Sequence, residues 1–365
     1  MSYNANNARQ LLLRAFKSPK SLESLELHEW ELLVRCARRS KLLASLGDKV
    51  IRSCQVKRIP EKVLEHFQAA QQLVEYRQQL AMWELNRINK ALSELEVDRV
   101  VLKGGAYILL SLPMAVGRLL SDIDLLVDKQ DIERVEQCLL GQGWETTQLN
   151  DYDQQYYRTW MHEIPALRHQ YRFVEVDIHH TILPLTSRLR PEPQRLLSEA
   201  IAVPNNICKV LSPCDMVLHS AVHLFYDAEL NADDFRDLVD LYELFSFYSY
   251  QDIDFWEKLD KRADELGLQR PLFYALYFSK QLLNAPVPDK LLTMHKGKPF
   301  YITGVFMRYL VPLALLPEHP DYPEIKVAFI RWLLYIRSHY LRMPLSLLIP
   351  HLFKKSKRYL EPVTK

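Results

Sequence analysis

Apolar and polar positions along the first ninety residues repeat with a helical period. Apolar residues recur every three or four places from Ala8 to Phe16, from Leu27 to Leu46, and over a long run from Glu61 to Leu95 that opens behind Pro60. In the long run Val63, Leu64, Phe67, Leu73, Leu80, Trp83 and Ile88 are the expected core contacts. The Gln, Glu, Lys and Arg residues between them read as a solvated face. The period changes at Val100–Leu102, a short apolar run ending at Lys103 and the pair Gly104–Gly105. It predicts a buried strand leading into a short helix over Ala106–Ser111. Asp122-Ile123-Asp124-Leu125-Leu126-Val127 predicts a second strand, with Asp122 and Asp124 on one face and Ile123 and Leu125 on the other. A helix over Asp131–Leu140, ended by Gly141, and a return strand from Gly143-Trp144-Glu145 follow. Tyr152–Trp160 is polar and aromatic, without a clear period.

Two more strands, Glu163–His169 and Arg172–His180, lie close enough to form a hairpin, although Pro165 weakens the first. In the second, Val174, Val176 and Ile178 alternate with Glu175, Asp177 and His179, so one face is entirely ionisable. An exposed edge strand whose charges discourage aggregation is the alternative, but three ionisable groups in a row beside an Asp-x-Asp strand are hard to explain as a solvated edge. The proline- and arginine-rich stretch 184–204 reads as a linker with some helix, and helices follow. Asp215–Tyr226 carries His219 and His223 four apart, ahead of the phrase DDFRDLVDLYELF with Arg236, Asp237 and Asp240. Two histidines at that spacing suit a metal, but no third ligand follows at zincin spacing. A buried helix pair with His–Asp hydrogen bonds fits better. Ile253–Leu283 predicts two helices broken at Gly267, with loops at Pro286, Pro288 and Pro299.

The expected fold is α+β: a small mixed sheet with helices over residues 96–183, flanked by helical regions at 1–95 and 184–365. The last region ends in a basic amphipathic tail. From Ile325 onward a wide apolar face accompanies Arg331, Arg337, Arg342, Lys354, Lys355, Lys357 and Arg358. Packing on the body, peripheral contact with a membrane, and an acidic partner all suit it, with packing first.

Composition narrows the classes. At 365 residues the chain has room for two domains, or for one core with helical additions. Hydrophobic residues at 48% and charged residues at 25% suit an ordinary globular protein and exclude a disordered one. A net charge of +2 gives no field that favours a long nucleic acid. Nine glycines against twenty prolines argue for long helices over glycine-rich loops. The five cysteines are scattered and lack a C-x-x-C pair, which excludes a disulfide framework and a zinc ribbon. MSYNANNARQ holds no apolar signal segment, and Tyr301–Leu316, interrupted by Arg308 and Pro312, is too short to cross a bilayer. A reduced, cytoplasmic protein with no transmembrane segment is expected.

The chemistry concentrates between Asp98 and Val127. Glycines at a strand-to-helix corner let a ligand approach the backbone, and free amides at a helix start favour an anion such as a triphosphate. Two carboxylates converging on one spot repel unless a cation lies between them, and hard oxygen ligands suit Mg²⁺. This order of Gly-Gly, helix, and Asp-x-Asp on the next strand resembles the signature of the DNA-polymerase-β-like nucleotidyltransferase superfamily. More narrowly, Leu102-Lys103-Gly104-Gly105 with Arg118 and Ser121-Asp122-Ile123-Asp124-Leu125-Leu126-Val127 resembles the bacterial "uncharacterised nucleotidyltransferase" family. The Gly105-to-Asp122 spacing is longer than in compact members such as the aminoglycoside nucleotidyltransferases, and long spacings occur in the narrower family.

The resemblance implies roles residue by residue. Asp122 and Asp124 would hold Mg²⁺ or Mn²⁺, with a third carboxylate on a neighbouring strand. The family's acid-x-His pattern matches Asp177 and His179 there, so Asp177 is expected as the third ligand ahead of Glu175. Gly104 and Gly105 amides would cradle the β- and γ-phosphates, and Lys103 and Arg118 are the cationic candidates beside them; an ordinary surface charge suits either equally well. His179 would orient Asp177 or touch the acceptor, or is simply a hydrogen-bonded strand histidine. The family's His-bearing helix, followed by one with Arg and Asp, implies that His223, Arg236 and Asp237 line the cleft opposite the triphosphate. The implied reaction is transfer of a nucleoside monophosphate, most often from ATP, to an acceptor hydroxyl, with release of pyrophosphate. Three readings stay open: a small-molecule acceptor, a toxin-like or regulatory enzyme acting on protein or tRNA, and a non-catalytic nucleotide sensor or scaffold.

Overall fold

The computed structural model describes residues 5–147, 151–204 and 206–348. Lys354, Lys355, Lys357 and Arg358 of the tail lie outside the described residues. Four helices open the chain: α1 (Ala5–Lys17), α2 (Leu27–Arg39), α3 (Leu43–Ser53) and α4 (Glu61–Ala91). The single helix expected over Leu27–Leu46 is two, because Lys41 adopts a left-handed φ of 55° and turns the chain between α2 and α3. In α4 the buried stripe runs through Val63, Phe67, Val74, Ala81, Leu85 and Ile88. Leu73 and Trp83, expected inside, are about half exposed. Over thirty-one residues the helix period of 3.6 drifts away from the chosen positions, and their neighbours Val74 and Ala81 take the inner face.

The sheet has seven strands in the order β3-β4-β5-β2-β1-β7-β6. In chain order these are β1 (Val100–Val101), β2 (Asp122–Leu126), β3 (Trp144–Thr146), β4 (Leu167–His169), β5 (Glu175–His179), β6 (Ile201–Ala202) and β7 (Lys209–Val210). The pair β2–β5 is parallel, as is β1–β7; the other neighbours are antiparallel, so the sheet is mixed. Between strands lie α5 (Lys103–Leu109), α6 (Ile132–Leu140), α7 (Asp151–Trp160) and α8 (Pro193–Ser198). Helix α7 occupies the stretch with no clear period. The sheet also continues past Leu183: β6 and β7 come from the chain expected to be linker and helix. Two residues each are too few to alternate visibly, and β7 pairs with β1 across about a hundred residues of sequence, with β6 on its far side.

The remainder is helical: α9 (Pro213–Val222), α10 (Phe235–Gln251), α11 (Phe255–Glu265), α12 (Gln269–Leu283), α13 (Asp289–Met294), α14 (Tyr301–Leu315) and α15 (Ile325–Arg342). Ser212 caps α9 by accepting from the Asp215 amide, and Gly267 turns between α11 and α12 with a φ of 68°. Helix α9 runs on into a π-helical turn over His223–Asp227. Ile123, Leu125, Val176 and Ile178 are fully buried under the sheet, which leaves the other face of β2 and β5 for polar groups. Helices α9 and α10 pack on each other, and α9 also meets α5, closing a cleft over that polar face.

Candidate active site

Register decides which side chains meet. Asp122 lies opposite Glu175, Asp124 opposite Asp177, and Leu126 opposite His179 on the parallel pair. Paired residues project to the same side, so both aspartates of β2 share a face with Glu175, Asp177 and His179 of β5. Asp124 is buried and Asp122 half-buried at the strand start, whereas Glu175 is exposed. Asp177 is half-buried between them.

Asp124 is the centre of charge pairing. Lys103 Nζ and His179 Nε2 each lie 3.0 Å from its Oδ1. Burial alone would raise the Asp124 carboxyl, but Lys103 and His179 hold it well below the usual aspartate range. Burial opposes charge on Lys103 as well, and Asp124 reverses this and holds the ammonium above its ordinary range. Lys103 reaches the carboxylate from a backbone with φ 44°, unusual for a lysine and situated at the first position of α5. Asp177 has no such ion-pair partner among the described residues: burial, then Glu163 and Asp124 facing it, push its carboxyl up to about 7 against the opposing effect of His179.

The two glycines are buried in the first turn of α5. A Cβ on Gly104 would stand 2.4 Å from Leu120 Cδ2, and one on Gly105 would stand 2.7 Å from Val101 Cγ1. Packing against Val101 of β1 therefore demands Gly105, a Cβ at Gly104 would have to displace the Leu120 methyl, and Gly104 in addition lines the cleft, a cavity of about 100 Å³.

The wall opposite the aspartates comes from α9 and α10. His223 Nδ1 lies 3.3 Å from Asp237 Oδ2, and Arg236 Nε donates to Asp237 Oδ1 over 3.1 Å. Arg118 is buried, pairing with Asp240 and lying 3.6 Å from Asp237. Its guanidinium stands over the Tyr107 ring, whose hydroxyl meets Ser220 at 2.8 Å. Against burial, Arg236, His223 and Arg118 together hold Asp237 well below the normal range. Arg118 thus spends its charge on two carboxylates of α10, which the sequence did not suggest. Arg236 faces Asp122 across the cleft. His219 is buried, and burial keeps it neutral; it does not pair with His223 as a ligand set.

Sequence reasoning missed His162 and Glu163. Glu163 Oε2 lies 3.4 Å from His179 Nε2 and 3.8 Å from His162 Nε2. The signal was the hairpin register. Leu167 pairs with Val176, and Arg168 with Glu175, so a regular ladder would set Glu163 opposite His180. Glu163 instead bridges His179, one residue on, and the extra residue is a bulge around Pro165. The slip turns Glu163 onto the polar face.

The mixed sheet thus presents Asp-x-Asp beside a third acid, under a helical wall with paired cations. The uncharacterised nucleotidyltransferase family matches residues 26–284, and the chain belongs to that family. The matched segment runs from α2 through α12, which takes in helices on both sides of the sheet. No curated protein and no solved structure matches the chain.

Proposed function

We propose that the chain transfers a nucleoside monophosphate from an NTP, ATP first among them, to an acceptor hydroxyl, releasing pyrophosphate. The observation that supports it is the β2–β5 register, which sets Asp122, Asp124 and Asp177 on one face, the first two of them lining the cleft. Three carboxylates on one face are the donor chemistry of a hard divalent cation; among the described residues their oxygens do not all come within 4.8 Å of one another, so they would close on the ion as it binds. Mg²⁺ or Mn²⁺ held there by Asp122, Asp124 and Asp177 would supply charge neutralisation at the phosphates and lower the acceptor's pKa.

The chain's own groups do the rest. Lys103 and Arg236 place positive charge at the two sides of the cleft, where triphosphate charge is to be met. Gly104 leaves room for the phosphates to approach the backbone. His223, steadied by Asp237, faces the cleft from the opposite wall, in position to orient the acceptor. Arg118 holds α10 to the loop ahead of β2 and so keeps that wall in register. His179 holds Asp124 in place.

The test is transfer of label from α-labelled NTPs, with Mg²⁺ and a cell extract, by wild type and by Asp122→Asn/Asp124→Asn. Label entering a small-molecule, protein or RNA fraction with wild type alone supports the reading and gives the acceptor class, including the toxin-like alternative. Absence of transfer together with retained Mg-NTP binding favours a nucleotide sensor. Absence of both refutes the activity.

A second surface bears on partners. Helices α14 and α15 pack on each other, and each leaves an apolar stripe in solvent. We read this face, continuous in sequence with the basic tail, as a contact for an anionic membrane surface.

A further inference from the structure

We propose that His162, Glu163 and His179 form a binding site for a transition cation of the Zn²⁺ class, next to the cation proposed at Asp122, Asp124 and Asp177 and 3.0 Å from Asp124 through His179 Nε2. The proposal is independent of nucleotide transfer.

Geometry comes first. Each of the three side chains offers one ligand atom, and the three atoms lie within 4.8 Å of one another. The separations from Glu163 Oε2 are 3.4 Å to His179 and 3.8 Å to His162. Ligands about 2.0–2.1 Å from a tetrahedral Zn²⁺ stand roughly 3.4 Å apart, so the cluster needs little adjustment. Two imidazoles and one carboxylate are a donor set that selects Zn²⁺ over Mg²⁺, because imidazole nitrogen is a borderline ligand and Mg²⁺ prefers oxygen. Three protein ligands leave a fourth position open.

The backbone builds this cluster. Strand β5 carries His179. The segment 162–164 runs antiparallel to it, with the Ile164 amide donating to Ile178 and the His180 amide donating to His162. The bulge around Pro165 then turns Glu163 to the side of His179. A regular ladder would have sent it to the opposite face. Both histidines are more than nine-tenths buried, and neither Nδ1 has a hydrogen-bond partner among the described residues. Their rings lie 5.2 Å apart, tilted by 30°. Both imidazoles face Glu163 through Nε2, and the His162 separation of 3.8 Å is beyond hydrogen-bond reach, so hydrogen bonding alone explains the cluster poorly.

The neighbours agree. Asp124, Asp177 and Asp227 add negative charge, against the Lys103 ammonium approaching from α5. A cation on His179 Nε2 takes the place of its 3.0 Å contact with Asp124. Asp124 Oδ1 keeps Lys103 as its partner.

The experiment strips the full chain with a chelator and titrates it with Zn²⁺ in excess Mg²⁺, which occupies the aspartate site. One Zn²⁺ per wild-type chain is expected. His162→Gln and Glu163→Gln, each shown folded by circular dichroism, should weaken it by at least about 100-fold. Asp122→Asn should bind as wild type does. Co²⁺ supplies an independent readout: strong visible d–d absorption of a tetrahedral site in wild type, absent in Glu163→Gln. The proposal is overturned if wild type binds no Zn²⁺, or if both Gln variants bind it equally well. It is also overturned if Mg²⁺ competes Zn²⁺ away while Asp122→Asn abolishes binding, since the ion then sits among the aspartates.

Discussion

Asp177 differs from its neighbours in one physical respect: among the described residues its carboxylate has no ion-pair partner, and it faces Glu163 and Asp124 with His179 opposing them. Burial first, then Glu163 and Asp124, push it up to about 7, against about 3.9 for an unfolded aspartate. Between those values the folded protein keeps a proton that the unfolded chain has released. The stability this group contributes is therefore full below about pH 4 and falls away as pH rises through about 7. Asp177→Asn is never charged, so its melting temperature should match wild type at about pH 4 and exceed it at about pH 8. Mg²⁺ should raise the wild-type melting temperature more at about pH 8 than at about pH 5, since only the ionised acid is a ligand. A stability gap that does not change with pH would remove Asp177 from the carboxylate cluster. The Asp-x-Asp and acid-x-His strands were legible in the chain from their alternation. Their register was not, nor was the lack of an ion-pair partner for Asp177, which depends on Lys103 choosing Asp124.

Arg118 shows how elements are held together and why part of the site was hidden. It sits in the loop between α5 and β2, yet its partners Asp237 and Asp240 are on α10, more than a hundred residues away. Beside it, Gly117 has a φ of 78°, and a Cβ there would stand 2.4 Å from the Ser45 backbone nitrogen, so the same loop also rests on α3. Arg118→Met would leave two buried carboxylates with one cationic partner fewer, at a cost of about 3–5 kcal/mol. Denaturant unfolding should show that loss with or without nucleotide. A variant of unchanged stability with weakened NTP binding would instead make Arg118 a phosphate ligand. Local pattern was enough for α1, α6, α11 and α12, and for β2 and β5, because apolar period and turn residues agreed there. It failed where a single backbone angle intervened, as at Lys41, or where pairing was distant, as in β6 and β7. The same holds for Glu163, whose side chain changes face by one residue of bulge.

At the scale of the whole molecule, charge and apolar surface are unevenly distributed. No described helix is long and apolar enough to cross a membrane. Helix α15 is tied to the body by its arginines: Arg331 pairs with Glu318, and Arg337 donates to the Phe225 carbonyl in the π-helical turn. Its outer side nevertheless exposes Ile325, Phe329, Trp332, Ile336 and Tyr340, a spacing of three and four that makes one stripe. Helix α14 does the same with Ile302, Val305, Phe306 and Tyr309. Stripes rich in aromatic side chains suit the headgroup boundary of a bilayer, and each Lys or Arg near an anionic surface adds about 1 kcal/mol. Lys326 is exposed on α15, Arg308 on α14, and the sequence beyond residue 348 adds four more basic residues between 354 and 358. The full chain should therefore co-float with vesicles containing phosphatidylserine and much less with neutral vesicles. Binding should weaken as salt shortens the screening length below about 8 Å. Phe329→Ser/Trp332→Ser should reduce binding to both vesicle types while leaving the circular dichroism spectrum unchanged. Equal binding of this variant and wild type would refute the membrane reading. So would a stable dimer that buries Phe329 and Trp332, since a second copy would then be the partner of this face.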